Sequence, residues 1–252
     1  MPFRAPPSTA CWQHREARSG FEVAYFQAAD SGWIIEGTTA AVEDGQTWVV
    51  TYRIELDAAW VTRKARIGAR TVSGSRETRL ESDGYGLWLV NGAPAPDLDG
   101  CLDVDLESSA MTNTFPVHRL DLPAGAQAAA PAAYVRALDL RVDRLEQTYL
   151  RVADQGAHHR YHYSAPAFGF TSRLVYDENG LVIDYPGIAL RTRLTGRCGW
   201  DRASRLRPGN ARVVMALLAR QAATWRCSPR TPRARPGNCR RRGPRPRKPR
   251  DE

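Results

Sequence analysis

The sequence lacks cysteine pairs at the spacing of a metal site, and it lacks a long apolar run. Its five cysteines are scattered, and no Cys-x-x-Cys pair occurs. Such an odd set suits neither a structural zinc site nor a disulfide framework, so we expect reduced thiols. No stretch reaches the roughly 18 apolar residues of a transmembrane helix, and residues 1–12 lack the apolar core of a signal peptide. These absences predict a cytoplasmic protein without a transmembrane segment.

Signatures of catalysis and of metal binding are also missing. No Gly-x-Ser-x-Gly motif marks a nucleophile. Three of the five histidines, His158, His159 and His162, lie near Asp154, but in a strand His159 faces away from the other two. Further ligands at the spacing of a metal site are absent, so these histidines are better interpreted as part of a solvent-exposed polar segment. We therefore expect no catalytic residue, no metal and no cofactor.

Acidic residues are scarce at the C-terminal end. The net charge of +9 divides into +14 for residues 197–252 and −5 for residues 1–196. Residues 228–250 consist mostly of Arg, Pro and Gly, which build no packed core, and this predicts a disordered tail. The tail lacks the interleaved aromatic residues of specific nucleic-acid recognition. Three interpretations of the tail remain open. It binds nucleic acid or an anionic surface, it has no function, or its sequence results from out-of-frame translation.

The rest of the chain has the period of β-strands. Trp48, Val50, Tyr52, Ile54 and Leu56 alternate with polar residues, which predicts a half-buried strand. Similar runs recur every 8–15 residues, separated by turns at residues 43–46, 83–86, 91–92 and 177–180. A sheet of that many strands must curl, close or fold on itself. One short helix is expected near residues 126–134, although Pro131 limits it.

These observations predict an all-β fold with minor α content, built on a large antiparallel sheet that curls, closes or folds on itself. Residues 1–20 are expected to be an N-terminal lead-in, residues 21–196 the β-rich domain, and residues 197–252 the Arg/Pro-rich tail. The most unusual segment is 98–122. In it Leu102, Val104 and Leu106 alternate with Asp103 and Asp105, so a strand would separate apolar from acidic side chains.

Residues 100–106 (GCLDVDL) and 112–120 (TNTFPVHRL) resemble the bacterial putative glycolipid-binding family. Supporting matches include Gly32-Trp33, Tyr52-Arg53, the run DGYGLW at 83–88 and the run DENGLV at 177–182. The resemblance covers roughly residues 12–194. It implies a large curled antiparallel sheet that forms a barrel-like or roll-like structure, similar in shape to carriers of lipids and lipoproteins in the bacterial envelope, and it transfers no catalytic residue.

The expected function is non-catalytic binding of a lipid-like or glycolipid-like small molecule in an apolar, aromatic-lined pocket. Apolar walls hold an acyl chain by burial at about 25 cal/mol per Å², and aromatic faces stack on sugar rings. The candidate ligand-binding residues are Trp33, Trp48, Tyr52, Trp60, Trp88, Asp103, Asp105, Asn113, Arg119 and Tyr149. For each aromatic residue, plain core packing is the competing interpretation.

Two other functions stay open at this point. Asp103, Asp105 or Glu36 would serve a carbohydrate-active enzyme as paired carboxylates if two of them faced one cleft. The basic tail would serve nucleic-acid or anionic-surface binding. The sequence leaves the oligomeric state and the identity of the ligand undetermined.

Overall fold

The computed structural model describes residues 3–192, and every structural statement below concerns them; the basic tail, residues 197–252, lies outside the described residues. The chain forms seventeen strands in this range. Their bounds are β1 Thr9–His14, β2 Ser19–Ala29, β3 Gly32–Glu43, β4 Gln46–Asp57, β5 Thr62–Thr71, β6 Gly74–Ser82, β7 Trp88–Val90, β8 Ala93–Pro94, β9 Asp103–Leu106, β10 Gln127–Ala129, β11 Ala132–Val135, β12 Val142–Leu145, β13 Thr148–Gln155, β14 His158–Ala165, β15 Phe170–Tyr176, β16 Val182–Tyr185 and β17 Ala189–Arg191. One α-helix, α1, spans Thr114–Leu120, and 3-10 turns span Pro96–Leu98, Met111–Asn113 and Pro166–Phe168.

Fourteen of these strands form one antiparallel sheet. Its order is β10-β13-β14-β15-β16-β17-β1-β2-β3-β4-β5-β6-β7-β8. Strand β1 pairs with both β2 and β17, so the N-terminal strand joins the two halves of the sheet. The remaining strands, β9, β11 and β12, form a small second sheet in which β9 and β11 run parallel.

The longest strands show the alternation that the sequence predicts. On β4, the side chains of Trp48, Val50, Tyr52, Ile54 and Leu56 are all buried, while the residues between them are exposed or half-buried. The turn before β4 consists of Asp44 and Gly45 with φ angles of 49° and 74°. Left-handed angles at both positions are those of a tight hairpin whose twist matches its strands, so the predicted turn is confirmed.

The large sheet curls around the small one. Tyr52 on β4 and Tyr176 on β15 lie in opposite halves of the sheet order, yet both connect to residues 109–113. The Tyr176 hydroxyl donates to the carbonyl of Asn113, and the Tyr52 hydroxyl donates to Glu22, which also accepts the Ser109 hydroxyl. Irregular register at Glu55/Leu56, Val152/Gln155 and Val175/Tyr176 bends the strands locally. The core lies between the concave face of the large sheet and the small sheet. The predicted fold class, mostly β with a large curled antiparallel sheet, is confirmed.

Three segments differ from the expectation. Residues 114–120 form α1, a helix that the sequence pattern does not predict, and Pro116 is tolerated there because it lies in the first helical turn, where its missing N–H is harmless. The helix expected near residues 126–134 is instead β10 and β11, separated at Pro131. Residues 1–20, set apart as a lead-in, contain β1 and the start of β2.

Candidate functional site

An interior segment, residues 101–117, crosses the inside of the curled sheet. All of its residues are buried except Leu102 and Glu107, which are half-buried. On β9 both strand faces are covered, so Asp103 and Asp105 are only 1% and 7% exposed. The alternation in the sequence therefore separates two buried faces, and each carboxylate must be satisfied by protein groups.

Glu22 on β2 fixes this interior segment to the large sheet. Its carboxylate is fully buried and accepts hydrogen bonds from the Tyr52 hydroxyl at 2.8 Å, from the Ser109 hydroxyl, and from the backbone N–H of Ala110 at 2.8 Å. Burial raises the pKa of Glu22, and these hydrogen bonds lower it in part. A side chain of β2 thus supplies the acceptors for the turn that begins the 3-10 helix at Met111.

Asp103 pairs with Arg119, which follows on α1. Two nitrogens of the guanidinium lie 3.1 and 2.6 Å from the two carboxylate oxygens. Burial raises the pKa of Asp103, and the arginine opposes that shift. This bidentate ion pair connects α1 to β9, so both side chains have a structural role.

Asp105 belongs to a network of neutral side chains. The Thr112 hydroxyl donates to Asp105 Oδ1 at 2.8 Å, and Gln147 Nε2 lies 3.5 Å from Oδ2. The Tyr149 hydroxyl donates to Asn113 Oδ1 at 2.8 Å. No arginine, lysine or histidine within residues 3–192 forms an ion pair with Asp105. Burial is the main cause that raises its pKa, to about 6.

Beside Asp105 opens a cavity of about 120 Å³. Its polar floor holds Asp105, Ser109 and Asn113 from the interior segment. Aromatic rings form a wall, and an arginine and a glutamate stand at the side. The full lining is Ala17, Arg18, Asp105, Leu106, Glu107, Ser109, Asn113, Tyr134, Leu145, Tyr163, Phe168, Phe170, Tyr185 and Ile188. We call this space the aromatic cavity.

The aromatic wall comes from three separate elements that meet at one end of the roll. Tyr163 lies on β14, Phe170 on β15 and Tyr185 on β16, with ring centroids 6.0 to 6.1 Å apart. Tyr134 on β11 packs against Phe168 at 5.5 Å. The tyrosines are buried, whereas both phenylalanines are half-buried at the rim. The contacts of Tyr163 with Phe170 and with Tyr185 are edge-to-face, a geometry that stabilises the wall beyond the area that it buries.

The charged groups at the side of the aromatic cavity are already paired. Arg18 donates to the backbone carbonyl of Glu107 at 3.0 Å, lies 3.5 Å from a Glu43 carboxylate oxygen, and stacks over Trp48 with its guanidinium carbon 5.2 Å from the ring. The Glu107 carboxylate accepts the N–H of Ala137 at 2.8 Å and lies 3.7 Å from Arg136. Asp105 is thus the carboxylate of this cavity that has no cationic partner among the described residues.

The structure brings two of the ten sequence-predicted site residues to the lining, Asp105 and Asn113. Three others support them from behind. Tyr149 binds Asn113, Tyr52 binds Glu22, and Trp48 packs on Arg18. Asp103 and Arg119 pair with each other outside the lining.

The remaining predicted aromatic residues lie elsewhere. Trp33 and Trp60 pack against each other at 5.8 Å, and Trp60 stacks on His118 at 3.7 Å, in a cluster outside the lining of the aromatic cavity. Trp88 donates its indole N–H to the carbonyl of Cys101 at 2.8 Å and anchors the start of the interior segment. Trp33, Trp60 and Trp88 do not line the aromatic cavity, and their role in ligand binding stays a prediction.

Sequence reasoning missed Glu22, Arg18 and most of the aromatic wall. The alternation Tyr161, Tyr163, Ala165 on β14 was a usable signal, because all three face the interior. No local pattern marks Glu22, since an isolated glutamate on a strand normally faces solvent.

The histidine-rich segment contains a network of polar side chains. His159 Nδ1 lies 3.2 Å from Asp154, which also pairs with Arg151 at 3.0 Å. Within residues 3–192, no three His, Cys, Asp or Glu side chains are grouped so as to hold a metal ion. In the same range, no helix has the length and apolar character needed to cross a membrane.

A comparison with protein families identifies a relationship for most of the chain. The model of a family described as "Putative glycolipid-binding" matches residues 9–191. The chain belongs to this family. A search of curated proteins finds no match.

Two solved structures are similar. A DUF1089 family protein from Pseudomonas aeruginosa is 32% identical, with a TM-score of 0.60, and the match covers 75% of this chain and 95% of that one. A β-barrel-like protein of another domain of unknown function, from Brucella abortus, is 13% identical with a TM-score of 0.45 over the same shares. Neither description states a ligand.

Proposed function

We propose that this protein binds one end of a lipid-like or glycolipid-like molecule in the aromatic cavity, without catalysis. The observation that carries the proposal is the meeting of an aromatic wall with a polar floor in one concave space. Few polar groups among apolar walls are the usual composition of a small-molecule site. The family description supports the same class of ligand.

The size of the cavity limits what enters it. Its volume of about 120 Å³ lies below the roughly 300–1,000 Å³ of clefts that enclose a whole drug-sized ligand. One end of an amphiphile therefore occupies the cavity, and the rest of the molecule extends past Phe168 and Phe170 at the rim. Both rim rings are half-buried, so they present apolar surface on which the extending part packs.

Carbohydrate hydrolysis is the main alternative, because Asp105 and Glu107 both line the cavity. The contacts of these carboxylates favour binding. Glu107 is held by Ala137 and Arg136, and Asp105 accepts the Thr112 hydroxyl. A general acid and base pair needs both carboxyls free to reach the scissile bond.

The direct test is a titration of the full-length protein with a fluorescent fatty acid and with octyl glucoside, followed by intrinsic tryptophan fluorescence. Saturable binding of at least one of these two amphiphiles to one site is expected. Replacing both rim rings, Phe168→Ala with Phe170→Ala, should weaken the affinity about tenfold through lost apolar contact. Tyr85→Ala is the matched control, because Tyr85 is 89% exposed and lies outside the cavity.

Two results would argue against the proposal. Absence of saturable binding to the unmodified protein removes it. Release of glucose from octyl glucoside, lost in Asp105→Asn, would replace binding by hydrolysis.

A further inference from the structure

The chemistry of the cavity floor identifies which end of the ligand enters. Asp105 is more than nine-tenths buried and lines the cavity, and within residues 3–192 its carboxylate accepts one hydrogen bond shorter than 3.3 Å, from Thr112. Its Oδ2 atom has Gln147 Nε2 at 3.5 Å as its one contact among the described residues. That oxygen retains acceptor capacity toward the cavity, and a buried acceptor without a good partner is costly.

Asn113 supplies the complementary donor. Its Oδ1 accepts the Tyr149 hydroxyl at 2.8 Å, which fixes the amide so that its Nδ2 is the free end. Among the described residues, Nδ2 has no hydrogen-bond partner, although Asn113 is 4% exposed and lines the cavity. A carboxylate acceptor and an amide donor on one floor match a hydroxyl group, which both donates and accepts.

The charges at the cavity do not suit an anion. Arg18 is the cation of the lining, and it is engaged by Glu43, by the carbonyl of Glu107 and by the face of Trp48. A phosphate or sulfate entering the cavity would meet the Asp105 carboxylate, which has no cation beside it. Two like charges in a partly buried space repel strongly, because little water screens them.

We propose that the aromatic cavity takes the uncharged sugar end of its ligand, with Asp105 and Asn113 binding adjacent ring hydroxyls, and that it rejects phosphate-bearing and purely apolar ends. The aromatic wall of Tyr163, Phe170 and Tyr185 stacks against the apolar face of the ring. This inference rests on the proposed function and defines the ligand class of the same site.

The test uses three amphiphiles with one tail and different heads: octyl glucoside, octyl phosphate and octanol. Each is titrated by calorimetry into the full-length protein at pH 7.5, below its micelle concentration. Octyl glucoside should bind at least about tenfold more tightly than either of the others, the effect expected for a hydrogen bond to a charged group. Methyl glucoside, which has no tail, should compete for the same site.

Asp105→Asn tests the role of the charge. The amide retains an acceptor for Thr112, and the variant should bind octyl glucoside about tenfold more weakly and octyl phosphate more tightly than the unmodified protein. Asp97→Asn is the matched control, because Asp97 is exposed and outside this cavity, and it should change neither affinity.

The outcomes separate the two proposals. Equal or tighter binding of octyl phosphate overturns the preference for a neutral head, while binding of an amphiphile stands. If octanol binds as tightly as octyl glucoside, the apolar end enters the cavity. This result also overturns the proposed sugar preference, while binding of an amphiphile stands. If none of the three binds, the proposed function fails and this inference fails with it.

Discussion

Asp105→Asn should gain unfolding free energy relative to the unmodified protein as the pH rises from acidic to neutral. The buried carboxylate has a pKa of about 6, against 3.8 for an unperturbed aspartate. Because the folded pKa is raised, Asp105 contributes stability that is fully present below pH 3.8 and is lost as the pH rises to about 6. Above pH 6 the folded protein holds an ionised carboxylate without a cation.

The size of the effect follows from the shift. About two pKa units correspond to about 3 kcal/mol of free energy of unfolding, at 1.36 kcal/mol per unit. Asparagine does not titrate, so this loss is absent in the variant. The difference in unfolding free energy between variant and unmodified protein should therefore rise by about 2 to 3 kcal/mol, in favour of the variant, between pH 4 and pH 7.5, because pH 4 already lies slightly above the unfolded pKa. Titrating groups away from Asp105 are common to both proteins and cancel, whereas Asp103 and Glu107, whose charges also raise the pKa of Asp105, are coupled to it.

The assay is urea denaturation of both full-length proteins at pH 4, 5, 6 and 7.5, followed by tryptophan fluorescence. Asp97→Asn provides a control with the same chemical change at an exposed carboxylate, and it should show no trend of this size. A difference between Asp105→Asn and the unmodified protein that stays constant with pH would refute the reasoning, because it would mean that Asp105 has an ordinary pKa in the fold. Stabilisation combined with weaker sugar binding would mark Asp105 as a residue kept for function.

Three further substitutions probe the supports of the site by urea denaturation. Gly37→Ala should destabilise the protein by about 1–3 kcal/mol, since a Cβ there would lie 2.2 Å from the ring of Tyr52; an unchanged midpoint would contradict this close packing. Asn113→Ala should cost about 1–3 kcal/mol, because it removes the 2.8 Å partner of the buried Tyr149 hydroxyl and leaves only the 3.3 Å contact with Gln147, and a fully stable variant that only loses ligand would assign Asn113 to binding alone. Arg119→Met should cost about 3–5 kcal/mol at pH 8 and less at acidic pH, because the raised pKa of Asp103 lets it become neutral first; a loss independent of pH would argue against an ionised partner.

The strands and turns of this protein are readable from its sequence because they depend on local patterns. The period of two in β4 needs only one buried face, and the Asp44-Gly45 turn needs only two residues that tolerate positive φ. The large antiparallel sheet follows from repeating such units along the chain. The family resemblance then identified the interior segment as the unusual part.

Other elements escaped because tertiary packing overrides local preference. Residues 115–120 contain strand-forming Phe and Val, yet they form a helix whose first turn is buried against the core. The alternation of Asp103 and Asp105 normally places acidic groups in water, but the small sheet lies inside the curl and covers both faces. No local sequence pattern predicts that both faces of a strand will be buried inside another sheet.

The sequence by itself determined the β class, the main hairpins and the importance of residues 98–122. Only the tertiary structure decided which residues form the site. Glu22 and Tyr52, or Asn113 and Tyr149, meet across 30 and 36 positions of the chain. The curl of the sheet brings the ends of β14, β15 and β16 around Asp105, and the register and bending that produce this meeting depend on long-range pairing, which the alternation of residues within one strand does not encode.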